Sequence, residues 1–207
     1  MGEREKMIVL DIETSGLDTG KNGIWQIAAL NMETREEFLG EARIDDEDEI
    51  MEAALEICGK TEQELRDKSK QTQKQLIENF LNLISKFDER IIAGHNVSWD
   101  ISFIQNKCLR YGLGKKFHEV IGHRTIDLST LAQLKFREKN GKFKIENGRN
   151  KMDLKAVLEF CGIKDERKQN INGKITEGKP HNALEDVRLE AECFKKLLGR
   201  KNETNSY

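Results

Sequence analysis

Cysteine is scarce and scattered in this sequence. The 207 residues hold four, Cys58, Cys108, Cys161 and Cys193, and none lies in a C-x-x-C pair. Each falls within an apolar helical pattern, so buried free thiols are the better reading than a disulfide framework or a thiolate zinc site. That usage fits a reducing, cytoplasmic setting. Long hydrophobic runs are missing as well. No segment is apolar for long enough to cross a bilayer, and the opening MGEREKM carries neither a secretory h-region nor the Ser/Thr of a myristoylation signal, so no membrane contact is expected. Nor is there an excess of one charge: 35 basic side chains stand against 37 acidic ones, for a net charge of -2. Any preference for a charged partner must therefore come from segregation of charge, not from its sum. Proline occurs once, at Pro180, and there is no internal repeat. What is present is an economical core, 37% hydrophobic, under a surface with 35% charged residues. The length suits one domain, expected over residues 1–200, with 201–207 as a flexible tail.

The pattern along the chain is that of an α/β protein. MIVLDIET (7–14) reads as a central strand, and IWQIAALNM (24–32) and REEFLGEARI (35–44) as the next two, in an antiparallel meander. Short helices are expected near 52–58 and 61–67. Leu76, Phe80, Leu83, Ile84 and Phe87 then fall at helical spacing within 72–87. RIIAG (90–94) is a short buried strand, and after a crossover helix its natural place is parallel to the first. WDISFIQNKCLRYG reads as a helix, and TIDLSTLAQL as the start of a strand or helix. MDLKAVLEFCGI reads as an amphipathic helix closed by Gly162, and about 182–198 as the last helix. Residues 112–123 and 135–151 read as long polar connections. The acidic run 45–49 reads as a solvated face, Asp127 as structural, and His118 and His123 offer no case for a metal. The order predicts a mixed sheet flanked by helices.

Three places carry chemistry. Asp11 and Glu13 interrupt the first strand. Side chains at i and i+2 share a strand face, so the two carboxylates point the same way, with Val9 behind them. They stand at the strand's carboxyl end, where sites form in open α/β sheets. Two readings stay open for the pair alone: acids at a frayed strand end facing water, or ligands of a hard divalent cation that relieves their repulsion. Asp100 opens a helix just after the RIIAG strand. Taken alone it is explained by the helix dipole, but if that strand lies beside the first, Asp100 can face Asp11. In KPHNALEDV, His181 stands at a helix start with Asp186 five residues on. Elsewhere, Lys135, Arg137, Lys139, Lys142, Lys144, Arg149 and Lys151 cluster against only Glu138 and Glu146, with Phe136 and Phe143 interleaved. That composition suits either a solvated basic loop or an edge that binds a nucleic-acid strand.

Taken together, DIETSGLD, HNVSWDISFI and HNALED resemble, in order and spacing, the three motifs of the DEDDh (DnaQ-like) 3′–5′ exonucleases. The resemblance extends over about residues 7–198 and includes EICGKTEQELRDK and KMDLKAVLEFCGI. It implies a ribonuclease H-like fold, a five-stranded mixed sheet flanked by helices. It implies that Asp11, Glu13, Asp100 and Asp186 hold two divalent ions, Mg²⁺ or Mn²⁺, with His181 as general base. In two-metal sites such ions lie roughly 3.5–4 Å apart, activate the attacking water and stabilise the leaving oxygen. Thr14, Ser15, Gly16 and Leu17 would meet the terminal nucleotide. Asn96 and Trp99 would help shape its pocket, although core packing explains Trp99 equally well. Gln26 departs from the family pattern, where many relatives have an acid, and this bears on the terminal-nucleotide contacts. The implied activity is release of nucleoside 5′-monophosphates from the 3′ end of single-stranded DNA, in replication or repair. A 3′–5′ exoribonuclease acting on short or structured RNA would use the same residues. A non-catalytic nucleic-acid-binding domain, or a proofreading module with a polymerase or homodimer partner, is the reading from another class.

Overall fold

The computed structural model describes residues 6–122, 124–171 and 173–199. His123 and the expected tail, 201–207, lie outside the described residues. Five strands, β1 (Met7–Thr14), β2 (Ile24–Asn31), β3 (Glu37–Glu41), β4 (Ile91–Gly94) and β5 (Thr125–Asp127), form one sheet in the order β3-β2-β1-β4-β5. β1, β2 and β3 pair antiparallel, while β4 and β5 run parallel to β1. The pattern along the chain predicts a mixed sheet, and the family resemblance implies its five strands; both are observed. Helices α1 (Glu52–Cys58), α2 (Glu62–Leu65) and α3 (Gln73–Ile84) form the crossover between β3 and β4. α4 (Val97–Arg110) and α5 (Gly114–Val120) follow β4, and α6 (Leu128–Asn140) follows β5. Two short hairpins, β6–β7 (Ile145–Glu146, Arg149–Asn150) and β8–β9 (Asn170–Ile171, Lys174–Ile175), flank α7 (Leu154–Phe160) ahead of α8 (Ala183–Leu198).

The alternation in β1 divides the core. Ile8, Leu10 and Ile12 pack with Leu76, Phe80 and Ile104 on the α3/α4 side. Met7 and Val9 pack with Val157, Val187 and Phe194 on the α7/α8 side. Asp11 and Glu13 continue the second set, so the strand period aims both acids toward α8. No described helix is long and apolar enough to cross a membrane.

Three stretches differ from the sequence reading. Residues 112–123 hold α5, and 135–151 hold the end of α6 and the hairpin β6–β7. Strands of two residues carry no periodicity to read. TIDLSTLAQL is both strand and helix, with the switch at Asp127, whose Oδ1 accepts the Thr130 N–H at 2.7 Å and caps α6. The run 45–49 is not simply a solvated face. Asp48 is 2% exposed and meets Lys107 Nζ at 2.5 Å, Gln73 Nε2 at 2.6 Å and Arg110 Nη1 at 3.1 Å. Beside it the Glu49 carbonyl accepts from Ser15 Oγ at 2.6 Å and Asn22 Nδ2 at 2.7 Å, and so fixes the loop that leaves β1.

Candidate active site

Each acid is delivered by a different piece of backbone. β4 ends at Gly94, so β1 runs on past its parallel neighbour. Asp100, in the first turn of α4, takes over there: its Oδ1 accepts the Ile12 N–H at 3.2 Å. This bond seats Asp100 beside the two carboxylates of β1. α8 brings Asp186. The helix start is held by Asn182, whose side chain accepts from the Leu184 and Glu185 N–H groups, and by Gln26 Oε1, which accepts from Ala183 N at 2.8 Å. Gln26 lies opposite Glu13 in the β1–β2 register and is fully buried. Its departure from the family pattern thus serves the seating of α8. Gln26→Ala, which leaves the Ala183 N–H without its acceptor, is expected to cost about 1–3 kcal/mol of stability. Urea unfolding, with the variant and wild type compared at equal m-value, checks this.

His181 precedes that helix. Its Nε2 lies 2.8 Å from the Lys168 carbonyl, which only accepts, so Nε2 carries the hydrogen of that bond. In the neutral ring Nδ1 therefore holds the lone pair, and it faces Asp186 Oδ2 at 4.0 Å. One ligand atom each from Glu13, His181 and Asp186 lie within 4.8 Å of one another. Asp11 and Asp100 meet this group through charge.

Sequence reasoning missed two residues of the site. Glu190 stands one helical turn after Asp186. It is 1% exposed, and its Oε2 accepts the His95 N–H at 3.0 Å. The i,i+4 spacing from Asp186 was the available signal. Arg167 had no such signal. Asp165 grips its guanidinium through Nε and Nη2, at 2.9 and 3.0 Å, and Nη1 donates to Asp186 Oδ2 at 3.0 Å. The other Asp186 oxygen, Oδ1, is buried with no hydrogen-bond partner. Arg167 thus orients the carboxylate and leaves its second oxygen without a partner.

The carboxylates strain one another electrostatically. Burial raises the pKa of Asp11 well above its ordinary value, and Asp100, Asp186, Glu190 and Glu13 add to the rise. Burial and Asp186 do the same for Glu13, with Arg167 opposing. Burial also raises Asp100 and Glu190, the latter with help from Asp186 and Asp100. Asp186 is raised by burial and relieved by Arg167 and His181. A cluster of hard oxygen donors with too little positive charge, including one orphaned oxygen, fits a divalent cation.

Of the residues expected at a terminal nucleotide, Thr14, Gly16, Leu17 and Trp99 line a cleft of about 570 Å³ beside these acids. Leu17 is 69% exposed and free to meet a base. Gly16 has no room for a Cβ, which would lie 2.6 Å from the Asn22 side chain. Ser15 and Asn96 do not line the cleft. Ser15 is turned inward, its Oγ donating to Glu49 O and accepting from Gly23 N at 2.9 Å. Asn96 is exposed, and its left-handed backbone, φ 56°, turns the chain into α4. Trp99 also stacks edge-on against Phe103, so it serves both packing and the cleft wall.

The profile of the RNase_T exonucleases matches residues 8–194. The chain belongs to this exonuclease family. Its DEDDh, DnaQ-like character agrees with the relatives. The chain is 29% identical to the DNA polymerase III subunit epsilon of Aquifex aeolicus over 194 residues, covering 92% of this chain and 79% of that one. It is 28% identical to the PolC-type DNA polymerase III of Pediococcus pentosaceus over 134 residues, 62% of this chain but only 8% of that long protein. Among solved structures, E. coli Exonuclease I in complex with a dA16 oligonucleotide superposes with a TM-score of 0.71 at 19% identity, over 94% of this chain and 41% of that one. The matched exonuclease span holds both the predicted acids and the two residues that sequence reasoning missed.

Proposed function

We propose that the protein is a metal-dependent 3′–5′ exonuclease that removes nucleoside 5′-monophosphates from single-stranded DNA. The observation that carries this reading is the grouping of Glu13, Asp186 and His181, whose Nδ1 faces Asp186, with Asp11 and Asp100 close enough to act on them through charge. Asp11, Glu13, Asp100 and Asp186 would hold two divalent ions, Mg²⁺ or Mn²⁺. When bound, such ions supply Lewis-acid activation of water and stabilisation of the leaving 3′-oxygen. His181 accepts the proton of the attacking water at Nδ1, while the Lys168 carbonyl holds the ring in the tautomer that leaves this atom free. Leu17 stacks on the terminal base, and the close-packed Gly16 lets the backbone approach its sugar. Arg167 balances part of the carboxylate charge and holds Asp186 in orientation. The likeness to the polymerase III epsilon subunit supports a place at a DNA polymerase.

A 5′-labelled oligonucleotide, as DNA and as matched RNA, tests the reading. A ladder shortening from the 3′ end, lost in EDTA and faster on DNA, is expected. A faster RNA ladder would move the protein to the ribonucleases, and no ladder on either strand would end the exonuclease reading. For His181→Ala the rate is expected to fall about 10²–10⁴-fold, the range of general-base catalysis. Calorimetric titration with Mn²⁺ then separates the roles of the ring. Unchanged affinity fits a base, whereas strongly weakened affinity would make His181 a metal ligand.

A further inference from the structure

The basic segment between α6 and α7 is folded, and its aromatic residues have separate roles. Phe136 is core: it packs against Phe160 at 5.5 Å. Phe143 is 43% exposed, and the Arg137 guanidinium lies over its ring at 5.2 Å. Ile145, beside it on β6, is 60% exposed. Gln133 holds this surface in place. Its side chain donates to Lys144 O at 2.9 Å and Asn150 Oδ1 at 2.6 Å, and accepts from Lys144 N at 2.9 Å. Lys142 and Arg149 make no ion pair among the described residues. The foot of the hairpin reaches the cleft: Lys151 pairs with Glu146 at 3.7 Å and with Asp153 at 3.1 Å, and Asp153, Leu154 and Lys155 form a cleft wall.

We propose that the β6–β7 hairpin is a binding platform for the DNA strand upstream of the 3′ end, with Phe143 and Arg137 stacking a base and Lys142 and Arg149 pairing with phosphates. This rests on the exonuclease reading and adds a subsite to it. An exposed aromatic ring carrying a guanidinium, with the unpaired cations Lys142 and Arg149 on the same segment, offers a single strand both its needs: a flat face for any base and charge for the backbone. A strand whose last nucleotide sits in the cleft has to leave along one wall, and the wall from Asp153 to Lys155 leads to this hairpin. The rigid anchoring by Gln133 means that little ordering entropy is lost when a strand binds.

Two substrates test it: a 20-nucleotide DNA strand, and the p-nitrophenyl ester of thymidine 5′-monophosphate, which has no upstream nucleotides. Phe143→Ala and, separately, Lys142→Gln with Arg149→Gln are assayed beside wild type, with thermal melts confirming that both fold. On the 20-mer, KM is expected to rise about tenfold for Phe143→Ala. The double charge variant is expected to show a shallower dependence of KM on salt. Both should turn over the ester like wild type. Equal KM on the 20-mer in wild type and both variants would overturn the platform and leave the exonuclease reading standing. If wild type hydrolyses neither substrate, anisotropy of a labelled 20-mer in EDTA decides the platform by itself. Weaker binding by the variants supports it, and equal binding overturns it.

Discussion

Asp11→Asn is expected to abolish hydrolysis and, in the same protein, to raise the melting temperature of the metal-free form. The catalytic loss should reach about 10³-fold, ~4 kcal/mol of transition-state stabilisation, because the substitution removes a charged ligand from the centre of the site. The gain in stability has a separate cause. The Asp11 carboxylate makes no hydrogen bond among the described residues, and its charge is opposed by burial and by Asp100, Asp186, Glu190 and Glu13. The pH dependence follows with a definite sign. These carboxyls have raised pKa values in the folded state, so the folded protein binds protons more readily than the unfolded chain. Stability of the metal-free wild type is therefore full below the unfolded carboxylate range, near pH 4, and falls as pH rises through the raised folded values. Melting in EDTA between pH 5 and 8 should show that decline, and Asp11→Asn should flatten it. Added Mn²⁺ should raise the wild-type melting temperature more at pH 8 than at pH 5, since protons compete for the same oxygens. A wild-type melting temperature that climbs with pH in EDTA would show that the acids are not in conflict.

Lys107→Met is expected to be the most destabilising single change away from the site. Lys107 and Asp48 are both 2% exposed and 2.5 Å apart. Removing the cation leaves Asp48 with Arg110 and Gln73 but without its fully buried partner. Breaking a buried pair in this way costs about 3–5 kcal/mol. In a chain of this size each kcal/mol shifts the melting temperature by roughly 2–4 °C, so a fall of about 10 °C is expected. Adding Asp48→Asn to Lys107→Met should recover part of the loss, because the stranded charge goes with it. A double variant as unstable as the sum of the singles would show that the two residues act independently. The loop is also linked to the cleft. Glu49 O holds Ser15 and Asn22, and Asn22 packs against Gly16. Lys107→Met should therefore also raise KM for the oligonucleotide at temperatures where the variant is still folded.

The sequence by itself determined what is local and periodic. The period of two in MIVLDIET placed Asp11 and Glu13 on one face, and the structure aims that face at α8. Helical spacing located α3, α4 and α8, and the three motifs singled out Asp11, Glu13, Asp186 and His181, which line the cleft, and Asp100, which bonds to the β1 backbone behind it. The β6–β7 and β8–β9 hairpins were not legible, since two-residue strands have no period. Tertiary structure alone decided which polar groups are partners. Gln26 reaches Ala183 across 157 residues, Asp48 reaches Lys107 across 59, and Arg167 reaches Asp186 from a segment with no pattern of its own. It also turned Ser15 inward and left Leu17 exposed, although the two are close neighbours in one loop. The physical reason is that apolar burial depends on which face a residue occupies, and spacing encodes the face. A buried charge or amide depends on one particular partner, and only the folded chain brings that partner within hydrogen-bond distance.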